Sequence, residues 1–203
     1  EHGELSALVE KSLANVKLSP SSSATSSKSV YYGGETRIEA GPESTAIYVV
    51  AYPGASTASN DYAASLVLKA LLGGSQRFKW GASSGLLGKV ATESTGSCAF
   101  SYSYTDSGLV GFVVEGETGE VKEVVKKSIA ALKSVAASIP ASVLEAAKKA
   151  AIVDAEEALN RLGSLEALGK QATGGVVALT DVSSISSVSA ADVQKVIFIW
   201  SVF

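Results

Sequence analysis

The stretch SCAFSYSYTDSGLVGFVVE, residues 97–115, decides how this chain reads. Two apolar runs of strand length flank Thr105-Asp106-Ser107-Gly108, a segment with the turn chemistry of a β-hairpin. In the first arm Cys98, Phe100, Tyr102 and Tyr104 alternate with Ala99, Ser101 and Ser103, the period of two that sends successive side chains to opposite faces of a sheet. A half-buried sheet needs a cover. Ala-, Val- and Leu-rich helical patterns follow the hairpin and shorter ones precede it, so the expected fold class is α+β, a largely antiparallel sheet covered by helices on one face. Cys98 reads as a buried strand residue in preference to a reactive thiol.

Working outward, residues 30–39 and 45–52 read as two further strands joined by Ala40-Gly41-Pro42-Glu43, with Pro53-Gly54 closing the second. Gly33-Gly34 inside the first predicts a bulge or a close backbone approach. Asn60 can cap a helix over 61–72 that Gly73-Gly74 ends, and the loop GGSQRFKWG follows at 73–81, with few apolar contacts expected of it. Residues 83–92 suggest a short helix opening on serine. After the hairpin, Thr118 can cap a helix whose Val121, Val124, Val125, Ile129, Leu132 and Val135 share a face. Pro140 interrupts, and Ser142 with Glu145 suggests a capping box for a helix running to Leu162. Shorter helical patterns cover 165–173 and 190–197, the second capped by Ser189. The apolar ending IFIWSVF, 197–203, can continue that helix, but its β-branched and aromatic content predicts a buried β segment, set against the sheet or against a second copy. At the other end Leu5, Leu8, Val9, Leu13 and Val16 recur at helical spacing, and the Ser-rich 19–29 reads as a linker.

With 203 residues, 46% of them hydrophobic, the chain can bury one ample core. A net charge of −3 gives no electrostatic footprint for nucleic acid or anionic lipid. The single cysteine leaves no internal disulfide and fits a reducing compartment. No apolar run approaches the ~20 residues of a membrane-spanning helix. The chain opens on Glu1 and contains no methionine, so it reads as a piece of a longer polypeptide. Its one histidine, His2, cannot supply a zinc site with two or three imidazoles, nor does it suit Ser-His-Asp or Cys-His catalysis, so neither metal-dependent peptidase activity nor a cofactor is expected. The stretch 81–89 departs from a phosphate loop, with Ser83 where the first glycine belongs and Val90 in place of the hydroxyl. Glu35 with Arg37, and Glu156 with Glu157, read as solvated surface charges. Tyr31, Tyr32, Tyr102 and Tyr104 read as sheet packing, not as a stacking platform.

In order, YYGGETR at 31–37, an apolar strand, a helix ending at a Gly-rich loop, SYSYTDSGLVGF at 101–112 and SAADVQKV at 189–196 resemble the carboxy-terminal half of the mitochondrial processing peptidase and core protein family, relatives of pitrilysin and insulinase. The likeness covers roughly 31–196. It implies that 1–18 is the terminal helix of a preceding homologous domain, 19–29 a linker and 30–203 a peptidase-like domain. In this family the H-x-x-E-H zinc motif of catalytic subunits lies in the other half, so the resemblance implies no catalysis here. Gln76, Arg77, Phe78, Lys79 and Trp80 stand where the processing-peptidase alpha subunit is richer in glycine, which favours the core-protein branch. That branch implies a structural subunit, peripheral on the matrix side of the mitochondrial inner membrane, in ubiquinol–cytochrome c reductase. The implied partners are core protein 1, other subunits of the complex and the chain's own amino-terminal domain, with self-association of the isolated piece also open. The alternative is the carboxy-terminal half of the presequence-binding, non-catalytic subunit of a processing peptidase, with Gly73, Gly74, Arg77 and Lys79 as candidate peptide contacts. The ending departs from the family, which has an Ala/Lys-rich helix and a further strand where this chain has IFIWSVF.

Overall fold

The hairpin forms where the alternation placed it. In the computed structural model, which describes residues 2–16, 27–39, 41, 44–73, 84–160, 165, 169 and 182–199, strands β2 (Thr95–Ser103) and β3 (Gly108–Gly116) pair antiparallel, with Tyr102 opposite Leu109 and Cys98 opposite Val113. The Tyr104 N–H donates to the Ser107 carbonyl at 2.8 Å and closes the turn. Strand β1 (Ala46–Pro53) pairs antiparallel with the other edge of β3, giving the order β1-β3-β2. The hairpin's second arm is therefore the central strand, and its Val110, Phe112 and Val114 are fully buried.

The face turned inward is not the aromatic one. Register sets Ser97 opposite Val114 and Ala99 opposite Phe112, so the small residues of β2 share the helix-covered side with the large residues of β3. Cys98 and Phe100 are half-buried and Tyr102 is exposed on the outer side, where the Phe100 and Tyr102 rings stack with centroids 5.4 Å apart. The expectation of a buried Cys98 is thus corrected. Period alone cannot say which face is covered; the neighbouring strand's bulk decides it.

Helices α2 (Tyr62–Leu72), α3 (Gly85–Gly88), α4 (Thr118–Ala137), α5 (Ala141–Asn160), α6 (Val182–Ser187) and α7 (Ala190–Ile199) build one layer on that inner face. In α4 the stripe Val121, Val124, Val125, Leu132 and Val135 faces the core, and the Ser128 hydroxyl within it donates to the Val124 carbonyl at 2.8 Å. Helix α2 is buried on several sides, through Ala64, Val67, Leu68, Leu71 and Leu72, and α5 presents Leu144, Ala147 and Ala151 to the same core. Pro140 precedes α5, and its carbonyl accepts the N–H groups of Val143 and Leu144, both at 3.0 Å. Glu145 pairs with Lys148 at 3.0 Å, so the expected Ser142–Glu145 capping box does not form. At α7 a box does form: the Asp192 carboxylate accepts from the Ser189 N–H at 2.8 Å, and the Asp192 N–H donates to the Ser189 hydroxyl at 3.3 Å.

Three expectations are revised. Residues 30–39 form no strand, and Tyr32 and Ile38 lie in the open. Two glycines weaken the segment for extension, and its Glu35 and Arg37 satisfy each other at 2.6 Å; the segment reaches β1 through the Tyr31 hydroxyl, which donates to the Ala51 carbonyl at 3.0 Å. Gly33 and Gly34 face open space, so neither bulge nor close approach is found there. The ending is helical as far as it is described: α7 runs through Ile199, with Ile197 buried beside Val193 and Val196 and Phe198 exposed. Spacing at i, i+3 and i+4 from a firm cap outweighs β propensity at 197–199. Residues 200–203, the linker at 19–26 and most of 165–173 lie outside the described residues. Helix α1 (His2–Leu13) forms, and none of its residues is buried.

Candidate functional site

The loop singled out by sequence springs from a tightly built base. Gly73 ends α2, its N–H donating to the Lys69 carbonyl at 3.0 Å, and its own carbonyl accepts the Ala99 N–H of β2 at 2.7 Å. With φ at 104° and the Ser84 carbonyl oxygen where a Cβ would stand, only glycine suits this position. Gly85, at φ 86°, lies against it, so that a Cβ there would meet the Gly73 Cα at 2.7 Å. Two glycines back to back thus close the ends of the loop at the junction of α2, α3 and β2. Of the predicted contacts, Gly73 is buried in this base. Gly74, Arg77 and Lys79 lie outside the described residues.

Two polar clusters were not foreseen from sequence. At the start of β2 the hydroxyls of Thr92 and Ser94 both donate to Glu120 at 2.7 Å, tying the turn before the strand to the first turn of α4. These bonds, Ser94 first, hold the Glu120 carboxyl below its ordinary range. Beside the hairpin turn a shallow cleft holds Asp61 and Asp106. Asp61 accepts from the Lys195 ammonium at 2.9 and 3.0 Å. Asp106 accepts the Ser29 N–H at 2.8 Å, and this bond is the main cause of its lowered pKa. Spacing gave no signal for either cluster, since Thr92 and Glu120, and Asp61 and Lys195, meet only through the fold.

The chemistry of these groups is that of anchors. Asp106, Glu120, Glu123 and Asp192 are all held below the usual carboxylate range by hydrogen bonds, the opposite of the raised pKa a general acid needs near neutrality. Among the described residues no group of three or more His, Cys, Asp or Glu is arranged to hold a metal ion. No single described helix is long and apolar enough to cross a membrane.

A sheet covered by one helical layer agrees with what sequence comparison finds. The chain belongs to the family of the peptidase M16 inactive domain, whose sequence model matches residues 1–151. Within that family it is similar to cytochrome b-c1 complex subunit 2, mitochondrial, of Cryptococcus neoformans var. grubii serotype A, at 33% identity over 175 residues, which are 83% of this chain and 39% of that protein. A chain in the structure of complex III2 from Candida albicans, Inz-5 bound, shares the fold with a TM-score of 0.74 at 17% identity, over 96% of this chain and 48% of that one. This chain therefore spans less than half the length of either relative.

Proposed function

We propose that this chain is a non-catalytic, structural subunit of the core-protein kind, peripheral on the matrix side of the mitochondrial inner membrane and scaffolding ubiquinol–cytochrome c reductase. The observation that carries this reading is the 33% identity over 175 residues to cytochrome b-c1 complex subunit 2. Its mechanism is burial, not chemistry: the domain docks with core protein 1, with other subunits of the complex and with a homologous amino-terminal domain. In this reading α1 closes that preceding domain, 19–29 is the linker and 30–203 is the peptidase-like domain. In support, the buried core begins at Ala63 of α2, with Ala46, Val50 and Tyr52 of β1 packed against it, and takes nothing from α1. A tagged chain expressed in fungal mitochondria is expected to migrate with the reductase on native gels. Migration only at low mass, beside an intact complex, refutes the proposal.

A second reading keeps the loop as a peptide contact, with Gly74, Arg77 and Lys79 presented to a presequence from the base that Gly73 and Gly85 build. The paired glycines favour it because they hold both loop ends in one place. It stands second because Arg77 and Lys79 would repel the Arg-rich peptides that such a subunit receives. Fluorescence anisotropy of a labelled presequence peptide separates the two: binding that Arg77→Ala with Lys79→Ala abolishes supports the second reading, and no binding removes it.

A further inference from the structure

An exposed hairpin turn ordinarily needs its aspartate for turn chemistry alone, and Asp106 does more. Its Oδ1 accepts the Ser107 hydroxyl at 3.3 Å, which sets the side chain, and its Oδ2 accepts the N–H of Ser29, 77 residues back along the chain, at 2.8 Å. The turn that carries it is braced from the other side. The Gly108 carbonyl accepts the Gly54 N–H at 2.8 Å, and the Tyr104 carbonyl accepts the Thr57 N–H at 2.9 Å and the Thr57 hydroxyl at 3.2 Å. Two residues beyond Ser29, the Tyr31 hydroxyl donates to the Ala51 carbonyl at 3.0 Å, and Tyr31 is half-buried between the exposed Val30 and Tyr32. Both contacts lie at the hairpin-turn end of the sheet, where Ala51 and Pro53 of β1 pair with Gly111 and Leu109 of β3.

We infer that Asp106 and Tyr31 are the two halves of a clasp that fixes where the incoming chain joins the sheet, and so limits how far α1 can stand from it. Chain length gives the clasp its effect. Val16, just past α1, is 13 residues from Ser29 and 30 from Ala46, where β1 begins. A chain spans at most ~3.5 Å per residue, so the clasp holds Val16 within about 45 Å of the hairpin turn, whereas anchorage at β1 alone would allow about 105 Å. The volume open to α1 then falls about tenfold, and its effective concentration at the sheet rises to match. The two contacts act together. Once Tyr31 is seated, the Ser29 N–H is presented to a carboxylate that the braced turn holds still, and a charged acceptor makes the stronger kind of hydrogen bond. Beyond the clasp nothing crowds the backbone, since a Cβ on Gly33, Gly34 or Gly41 would meet no atom within 4 Å, and Ile38 is 85% exposed. Residues 29 and 31 are therefore the fastening points of this segment, and Asp106 is a positioning residue for what precedes it.

The clasp is independent of membership in a respiratory complex, and the chain alone tests it. In Asp106→Ala the Ser29 amide is expected to exchange its hydrogen at least about fivefold faster than in the parent, by NMR, while the amides of the buried Val110, Phe112 and Val114 keep their protection. Reach is read from the electron–electron distance between nitroxides at Lys11→Cys on α1 and Lys133→Cys on α4, in a Cys98→Ser background. Combining Asp106→Ala with Tyr31→Phe is expected to broaden that distribution and extend it to longer distances. Tyr31→Phe by itself leaves the turn untouched and is expected to lengthen the distribution in part, so the test stands even where Asp106→Ala disturbs the hairpin. A Ser29 amide that exchanges in Asp106→Ala as it does in the parent, or a distance distribution that these substitutions leave unchanged, overturns the inference.

Discussion

Phe100 and Gly111 face each other across β2 and β3, and the glycine is what lets three strands close up there. A Cβ on Gly111 would collide with the Val50 carbonyl of β1 and come within 2.9 Å of the Phe100 ring. Gly111→Ala is therefore expected to destabilise the chain by about 1–3 kcal/mol, the usual range for overpacking, as read from urea unfolding. The opposite sign is expected at Ser97. Its hydroxyl is buried and has no hydrogen-bond partner among the described residues. Ser97→Ala removes that unsatisfied group and is expected to gain about 1 kcal/mol. A loss of stability would mean that the hydroxyl is satisfied after all.

Between elements, Glu120 is the joint. It stands in the first turn of α4, where a negative charge is favoured by the helix dipole, and it accepts from the two hydroxyls that precede β2. Its folded pKa is depressed, so its contribution is fully present above the unfolded glutamate pKa and is lost as pH falls through the lower, folded value. Glu120→Gln is expected to flatten the fall of melting temperature between about pH 5 and pH 3 while leaving the slope from Asp192 in place. An unchanged acid profile would show that the joint is open in solution.

For the whole molecule, α7 is the piece that completes the core. Val193, Val196 and Ile197 are buried there, Gln194 donates to the Ala136 carbonyl at 3.1 Å, and Lys195 grips Asp61 at the start of α2. Burying three such side chains is worth about 1.5–3 kcal/mol each, against a total stability of about 5–15 kcal/mol for a domain. A chain ending after Val188 is expected to lose cooperative thermal unfolding, seen in calorimetry. A melting transition within a few degrees of the parent would show that the core closes without α7.

The sequence by itself determined the hairpin, its turn, the helix that carries Val121 to Val135, the Ser189-capped helix over 190–197 and the α+β class, because periods of two and of 3.6 and turn residues are local properties of the chain, whereas the expected Thr118 cap does not form, Glu117 standing at that position without a side-chain bond. Even the seat of the glycine loop was legible, since Gly73 ends a leucine-rich helix. Only the tertiary structure decided which sheet face is covered, because that depends on pairing Ala99 with Phe112 and Phe100 with Gly111. It also decided that 30–39 forms no strand and that 197–199 remains helical, each set by what the neighbouring element offers and not by the segment's own propensity. The links from Thr92 and Ser94 to Glu120, and from Asp61 to Lys195, join residues distant in the chain, so no spacing rule could reveal them.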